Sequence, residues 1–334
     1  MRITVLALLA LPLFAESIGP FQDRRVVSPR EKHAFEIKAS REFRLTKKGG
    51  ALLKAGKLDY LPAEFLVLDS RPAVLLLDTY GEAGRKTVLA LLKADGSIAW
   101  RLKLKDLFRN HEPFLETMSQ TIWHRAWWLD ENAVILVARG GEAAKVTLDH
   151  GQATAFDADD AIESAERAVL RPDGEQAVTA LVELGATRAL VGLIGHSEVS
   201  KKRRKAIEAA LVAAKDEILI DELAREFKSA EIDTAEELLK VGVRVNPAKL
   251  HRALIQYETT LLKLLQRGSP HIGWLADHFE MVPTSQAVKP LLTALKKHRG
   301  DADLAPRIIA ALKPCTGRDF GADPAAWLKA YRVR

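Results

Sequence analysis

The sequence predicts an α+β protein, in which a β-rich N-terminal domain precedes a C-terminal α-solenoid. Two observations support this fold class. Short apolar runs separated by turn residues fill residues 26–156, whereas helical spacing begins at Asp157. Each region also contains a weak internal repeat. We therefore divide the chain into residues 1–15, 16–156 and 157–334.

The composition narrows the functional classes. Hydrophobic residues make up 48% of the 334 residues, which excludes wholesale disorder. The single cysteine, Cys315, excludes an intrachain disulfide framework, and the same count excludes multi-cysteine zinc sites and iron–sulfur clusters. The sequence has no phosphate-loop or dinucleotide-binding glycine pattern, so we expect no cofactor.

Residues 1–15 have the pattern of a secretory signal peptide. Met1-Arg2 gives a positive start, and residues 3–15 (ITVLALLALPLFA) form an uncharged apolar run that ends in a small residue. The run is shorter than the roughly 20 residues that a membrane span needs. The alternatives are an uncleaved anchor or a buried first helix. We expect a secreted or periplasmic protein without a stable membrane span after signal removal.

The β-rich region begins with short strand candidates. Apolar runs at residues 64–69, 73–78 and 87–92 are bounded by turn residues. Asp95-Gly96 favours a tight hairpin, because that turn requires positive φ angles. Residues 105–108 indicate a single helical turn.

A repeat within this region suggests its architecture. Residues 68–78 (LDSRPAVLLLD) match residues 129–137 (LDENAVILV), and each copy continues through Gly-Glu-Ala into another strand. This pattern predicts either a sandwich or propeller-blade-like sheets, in a stretch too short for a closed propeller. Coincidence between two ordinary half-buried strands is the alternative.

A tryptophan-rich strand at residues 121–129 is a candidate binding surface. Alternation gives the strand two faces, with Trp123, Arg125 and Trp127 on one and Ile122, His124 and Trp128 on the other. One face belongs to the core, and the other offers a platform for carbohydrate or peptide. The alternative is that both faces are buried and Arg125 extends to solvent.

The C-terminal half contains amphipathic helical segments joined by short breaks. These segments cover residues 161–170, 175–184, 188–194, 199–214, 217–227, 234–241, 247–265, 271–279, 285–297, 304–312 and 324–331. Glycines lie near segment ends and prolines at breaks or first turns. Short connections predict antiparallel neighbours.

Two helix pairs resemble each other. In residues 189–211 and 288–312, a Leu-rich helix leads through a polar connection to an Ala- and Ile-rich helix. Stacked pairs of this kind define a solenoid, in which each repeat buries its apolar face against its neighbours. An irregular helical bundle is the alternative.

The helix pairs resemble HEAT-like repeats. Residues 316–327 (TGRDFGADPAAW) are similar to a closing segment of exported bacterial HEAT-repeat proteins, of the form T-G-x-D-F-G-x-D-x-x-x-W. The resemblance covers the last half of the chain and implies a solenoid with an interaction role and no active site. From the residues themselves, we expect Gly317 and Asp323 to cap helices, and Phe320 and Trp327 to close the solenoid end.

We therefore interpret the protein as a non-catalytic binding or scaffold protein. Its candidate partner-binding residues are the aromatic strand positions above and a basic run on one predicted helix, comprising Lys201, Lys202, Arg204 and Lys205. Cations at a helix start are unfavourable, so the run suggests a protein partner with an acidic surface rather than nucleic acid. A solvated helix face is the alternative.

A histidine-dependent metal hydrolase is the second hypothesis. Its candidate ligands are His111, His124, His271 and His278. His271 and His278 are seven residues apart, about two helical turns, which is too far for one ion without a loop ligand. The serine beside His196 does not have the nucleophile-elbow pattern. We therefore predict no catalytic residue and no metal ligand.

Overall fold

The structure is a computed structural model that describes residues 22–332 except 79, 82–86, 109–120, 123, 172–173, 215 and 217. Two compact units divide after Ala158, where the sequence placed its boundary after residue 156. The first contains antiparallel sheets and the second contains helices. The predicted order of a β region before a helical region is confirmed. The predicted signal segment at residues 1–15 lies outside the described residues.

Three four-stranded antiparallel sheets make up the first unit, and each follows the order of its strands in the chain. The first sheet contains β1 (Arg24–Val27), β2 (His33–Ile37), β3 (Glu42–Lys47) and β4 (Leu52–Lys57). The second contains β5 (Glu64–Val67), β6 (Val74–Leu77), β8 (Leu89–Leu92) and β9 (Ile98–Leu102). The third contains β11 (His124–Asp130), β12 (Ala133–Ala138), β13 (Ala143–Thr147) and β14 (Ala153–Phe156). A short pair joins β7 (Tyr80–Gly81) to β10 (Thr121–Ile122), and α1 (Leu104–Leu107) is a single turn.

The sheets of this unit pack face to face. One apolar cluster joins the first sheet to the second through Phe35, Phe43 and Phe65, among others. Another joins the second sheet to the third through residues such as Leu75 and Val134. The second sheet is thus covered on both faces, which explains why its strands are runs of Leu, Val and Ala rather than alternating sequences.

The sequence repeat corresponds to a structural equivalence. Residues 68–78 begin at the turn after β5 and run through β6, whereas residues 129–137 end β11, cross its turn and enter β12. Both copies therefore lie on the first hairpin of a four-stranded sheet. Buried aliphatic positions after a tight turn are what the two hairpins share.

The second unit contains helices that follow the predicted segments closely. They are α2 (Ala158–Leu170), α3 (Glu175–Glu183), α4 (Thr187–Ile194), α5 (Lys201–Ala214), α6 (Leu219–Phe227), α7 (Ile232–Val245), α8 (Pro247–Ala253), α9 (Glu258–Arg267), α10 (Ile272–Met281), α11 (Val288–His298), α12 (Leu304–Thr316) and α13 (Pro324–Ala330). One predicted helix, at residues 247–265, is instead divided into α8 and α9 by a 3-10 turn at Ile255–Tyr257. No glycine or proline marks this break in the sequence.

Packing in the helical unit follows chain order. From α3 onward, most of the extensive contacts join helices one or two apart in the chain: α3 packs on α4 and α5, α5 on α7, and α7 on α9. The same spacing continues through α9 with α11 and α11 with α13, and in the other set through α4 with α6, α6 with α8, and α10 with α12. Odd-numbered and even-numbered helices thus form two rows.

The chain end is closed by aromatic packing. Gly317 adopts a left-handed conformation with φ of 65° and ends α12, and the Asp323 side chain accepts a hydrogen bond from Ala325 N at the start of α13. Trp327 is fully buried, contacts Phe320 edge to face at 5.0 Å, and donates from Nε1 to Gly321 O. Within the described part of the chain, no helix combines the length and apolar composition that a bilayer crossing requires.

Candidate interaction surfaces

The basic run of α5 is used largely within the helical unit. Arg203 is buried and donates from Nη1 to the carbonyl of Val169, in the last turn of α2. A cation is favourable there, because the last carbonyls of a helix carry partial negative charge. Arg203 therefore links α5 to α2 and is not part of a solvated helix face.

Two of the predicted partner-binding residues also have partners in the chain. Lys202 Nζ lies 2.6 Å from Glu175 Oε1 on α3. Arg204 Nη2 donates to the carbonyl of His196 at 3.3 Å, and a second, longer contact reaches Val199 O. These contacts explain how cations are retained at a helix start.

Lys201 and Lys205 are the remaining members of the run. Both are exposed, one helical turn apart, and neither has an ion pair among the residues that the structure describes. Of the four α5 residues predicted to contact an acidic partner, Lys201 and Lys205 are thus the two without an ion pair or hydrogen bond in the described part of the chain.

The tryptophan-rich strand does not form the expected platform. Trp127 is only 8% exposed and packs in the apolar cluster between the second and third sheets. Its Nε1 donates to Glu64 Oε2 at 2.7 Å. Arg125 is exposed, and Trp128 is fully buried. Trp123 lies outside the described residues.

A β-bulge explains why Arg125 and Trp127 do not share a face. The register between β11 and β12 shifts between His124 and Ala126, so that one extra residue interrupts the alternation. The expectation that Arg125 and Trp127 form one binding face is thereby corrected. Carbohydrate stacking on Trp127 is incompatible with its burial.

The histidines proposed for a metal site are not brought together. His124 lies in the first unit, where its Nε2 is 3.5 Å from Glu64 Oε1, and burial lowers its pKa while Glu64 opposes that change. His271 and His278 stand at opposite ends of α10. Among the described residues, no three His, Cys, Asp or Glu side chains are placed to hold a metal ion. His111 lies outside the described residues.

His278 instead belongs to a stack with residues of two helices. His251 of α8 lies parallel to Trp274 of α10, with ring centroids 4.2 Å apart. The Nδ1 atoms of His251 and His278 face each other at 3.4 Å. Trp274 Nε1 donates to Pro247 O at 3.3 Å, which ties the same two helices together. The sequence analysis missed His251, because no local pattern relates it to α10.

Burial favours the neutral form of both histidines of this stack. Burial lowers the pKa of His278 to about 4, and the neighbouring His251 adds to the effect. Burial also lowers the pKa of His251, against the attraction of Asp277 and with the help of Arg307. A neutral pair uses one Nδ1–H as donor and the other Nδ1 as acceptor.

An ion pair extends the stack to a third helix. Arg307 of α12 donates from Nε to Asp277 Oδ1 at 2.9 Å and from Nη2 to Asp277 Oδ2. The guanidinium lies over Gly273 of α10, where it leaves no room for a Cβ atom. The site is thus a joint of three successive helices in the even-numbered row.

A groove of about 600 Å³ lies along α12, with Glu280 of α10 and Ala322 also in its lining. The rest of the lining consists of the apolar residues Pro306, Ile309, Ala310 and Pro314, together with Lys313. Such a groove accommodates apolar side chains of a partner.

The largest concentration of charge lies in the first sheet, and the sequence analysis missed it. Residues 22–59 contain eleven Lys and Arg and five Asp and Glu, a net charge of +6 that equals the formal charge of the whole chain. Five cations of β3, β4 and their connecting turn have no ion pair among the described residues: Arg44, Lys47, Lys48, Lys54 and Lys57. Counting charge by strand would have found this surface from the sequence.

Comparisons with known proteins add little to this description. No protein-family model and no curated protein matches the sequence. One similar solved structure is described as "Crystal structure of HIRA(644-1017)"; it is 12% identical, covers 68% of this chain and 78% of its own, and has a TM-score of 0.27.

Proposed function

We propose that this protein is an exported, non-catalytic binding protein whose helical unit is a HEAT-like α-solenoid. The observation that supports the proposal is the packing order of the helices, in which most of the extensive contacts join helices one or two apart along the chain. That order is typical of repeats that bury their apolar faces only against neighbours. Solenoids of this kind present long surfaces to partner proteins.

Ion pairs between alternate helices support the repeat interpretation. In the odd-numbered row, Glu208 of α5 pairs with Lys240 of α7 at 2.8 Å. In the even-numbered row, Asp221 of α6 pairs with Lys249 of α8 at 3.2 Å. Each pair joins elements one repeat apart, as the Asp277–Arg307 pair does. Repeated polar links at the same spacing favour stacked units over an irregular bundle.

The partner is another protein, which we place on the helical unit at the groove on α12. The groove combines apolar residues with one acidic and one basic side chain, a mixture that is common in protein interfaces. Lys201 and Lys205 provide a second, cationic contact on α5 for an acidic part of the partner.

Photo-crosslinking tests the binding role. A benzoylphenylalanine is placed at Ala310 in the groove, and a matched one at Lys289, an exposed position on α11 of the other row. We expect specific adducts from the native-source extract at position 310 and none at 289, identified by mass spectrometry. Equal labelling at both positions, or adducts to abundant proteins alone, contradicts the proposed groove.

Export is tested separately by cell fractionation. We expect the full chain to appear in the periplasm or medium with a new N-terminus near Glu16, and Leu9→Arg in the apolar run to retain it in the cytoplasm with Met1 or Arg2 at its start. Glu16→Gln is the matched control and leaves export intact. Retention of the unmodified chain in the cytoplasm contradicts the export proposal.

A further inference from the structure

We propose that the open edge of β4 binds an extended acidic segment of a partner protein, which joins the first sheet as a fifth strand. The inference rests on the binding role proposed above and states what the β region would bind, namely an acidic segment of a partner protein. Three observations lead to it: an unpaired strand edge, an excess of unpaired cations beside it, and the distribution of those cations on both faces of the edge strand.

The edge of β4 has free backbone groups. Among the described residues, β4 pairs only with β3, and the bond from Leu58 N to Arg41 O fixes which residues face that partner. Hydrogen-bonded and non-hydrogen-bonded pairs alternate, so Gly56 and Lys54 direct their N–H and C=O groups toward β3. Ala55 and Lys57 direct theirs away from β3, whereas a register shift at Leu53 interrupts the alternation. No hydrogen bond within the described chain uses these outward groups.

Two other sheet edges lie against further elements of the first unit. β1, the opposite edge of the same sheet, lies against β5, and β14 of the third sheet lies against α1. Within the part of the chain that the structure describes, β4 makes extensive contact only with β3, and the Lys54 side chain lies over Gly96. Five of its six residues are exposed, and Leu52 is 52% exposed. An open edge of this length provides the hydrogen bonds that strand addition requires.

The cations beside this edge lie on both of its faces. Lys54 pairs in register with Leu45, whose side chain is buried in the core, whereas Lys57 pairs with the exposed Glu42 on the opposite face. Lys47 and Lys48 stand at the hairpin end. Carboxylates on either face of an added strand therefore meet a cation.

The same cations decide which strand the edge accepts. Lysine on an edge strand opposes pairing with a neutral or basic strand, and natural proteins use it to prevent aggregation. If a second copy of this chain paired along β4, its Lys54 and Lys57 would lie close to the same lysines of the first copy, and the like charges would repel. Acidic residues of an added strand are attracted to the same lysines. The edge of β4 therefore disfavours a second copy of this chain and favours an acidic segment.

A defined peptide tests the inference on the full chain. The probe is the fluorescein-labelled peptide Thr-Glu-Glu-Val-Thr-Glu-Glu-Val-Thr, and its matched control carries Lys in place of each Glu. We expect saturable anisotropy with the acidic probe, weakening as salt rises, and binding at least tenfold weaker with the basic control. Comparable binding of both peptides overturns the inference.

An N-methylated form of the probe separates strand addition from charge attraction. It is methylated on both alternate sets of amides, so that neither edge of the peptide keeps its donors. We expect its affinity to be at least tenfold lower than that of the unmethylated probe. Equal affinities show that no strand is added, because both peptides carry the same charge.

Protein variants locate the binding. Lys47→Gln, Lys48→Gln, Lys54→Gln and Lys57→Gln together are expected to weaken probe binding at least tenfold. The matched control replaces four exposed lysines of the helical unit, Lys228→Gln, Lys263→Gln, Lys289→Gln and Lys329→Gln, and leaves probe binding unchanged. Hydrogen exchange is expected to slow at residues 53–57 on binding. Equal loss in both variants, or unchanged exchange at 53–57, overturns the assignment to β4.

Membrane binding is a distinguishable outcome. Sedimentation of the protein with phosphatidylglycerol vesicles, lost in the same four-lysine variant and accompanied by no peptide binding, assigns the cations to a lipid surface and overturns the inference. Crosslinking at position 310 is an independent readout. If adducts form there while the peptide fails to bind, the edge inference fails and the proposed binding role stands.

Discussion

His251 and His278 face each other across two helices, with their Nδ1 atoms 3.4 Å apart. A hydrogen bond at this distance requires a proton on one nitrogen and a lone pair on the other. Trp274 stacks on His251 and fixes the orientation of that ring. The contact between α8 and α10 therefore depends on the protonation state of the pair.

Acid is expected to destabilise the helical unit through this pair. The pKa of His278 falls from 6.5 to about 4 in the folded protein, so the unfolded chain binds the proton first as the pH drops. The stabilisation is complete above pH 6.5 and is lost progressively toward pH 4, by at most about 3 kcal/mol. Urea unfolding followed by circular dichroism at 222 nm, between pH 7 and pH 4, measures the loss.

Substitution isolates the contribution of His278. His278→Leu is expected to reduce the decline in unfolding free energy over that pH range, while His150→Gln, at an exposed turn, leaves the decline as in wild type. A His278→Leu protein with the full wild-type decline would assign the acid sensitivity to carboxylates elsewhere.

Arg203 is expected to matter more for stability than its exposed neighbours. Arg203→Met leaves the carbonyl of the buried Val169 without its donor, at a cost of about 1–3 kcal/mol. Lys201→Gln is expected to change the unfolding free energy by less than about 0.5 kcal/mol, because the side chain is solvated. Urea titration compares the two variants; equal effects would show that the Arg203 contact contributes nothing.

Gly151 and Gly141, at two turns of the third sheet, form a matched pair for testing the close contact between Gly151 and Trp100. Both have positive φ, at 65° and 92°, so alanine costs each about 1–2 kcal/mol of backbone strain. Only Gly151 lies against the indole of Trp100, where a Cβ would be 2.6 Å from Cδ2. We expect Gly151→Ala to be destabilised by about 1–3 kcal/mol more than Gly141→Ala. Equal melting temperatures would contradict the close contact.

Trp327 is expected to hold the C-terminal end closed. Trp327→Ala removes a fully buried ring and should cost about 3–5 kcal/mol. Phe320→Ala should cost less, because that ring is only half-buried. Limited proteolysis detects the change as new cleavage near α13. Equal resistance of wild type and Trp327→Ala to protease would contradict a closing role.

Local signals predicted the helical unit well. Gly317 and Asp323 cap the helices that their residue types indicated, because each cap depends on a few neighbouring residues. The break between α8 and α9 could not be predicted in the same way. It separates Leu254 from Glu258 without a glycine or proline, and the two helices take different partners in the packed unit.

The candidate sites were harder to predict from the sequence, because they depend on contacts between residues that are far apart in the chain. A bulge at Arg125 adds one residue to β11, and no residue type in the sequence marks it. Strict alternation therefore placed Trp127 on the same face as the exposed Arg125, whereas Trp127 is buried. The run at residues 201–205 looked like one patch, yet helical periodicity turns Arg203 inward. The His251–His278 contact arises only once α8 and α10 are packed.

The packing order of the helices has a mechanical consequence. Because most contacts of a helix reach only one or two helices along the chain, a load applied at the C-terminus is borne first by α13 and α12. Stretching should therefore peel the unit from its end in small successive steps, as expected where stability is a sum of neighbour terms. The sheets would yield differently, since the strands of each sheet are bonded along their length and each sheet shares an apolar face with another. The helical unit is thus expected to be the more extensible of the two.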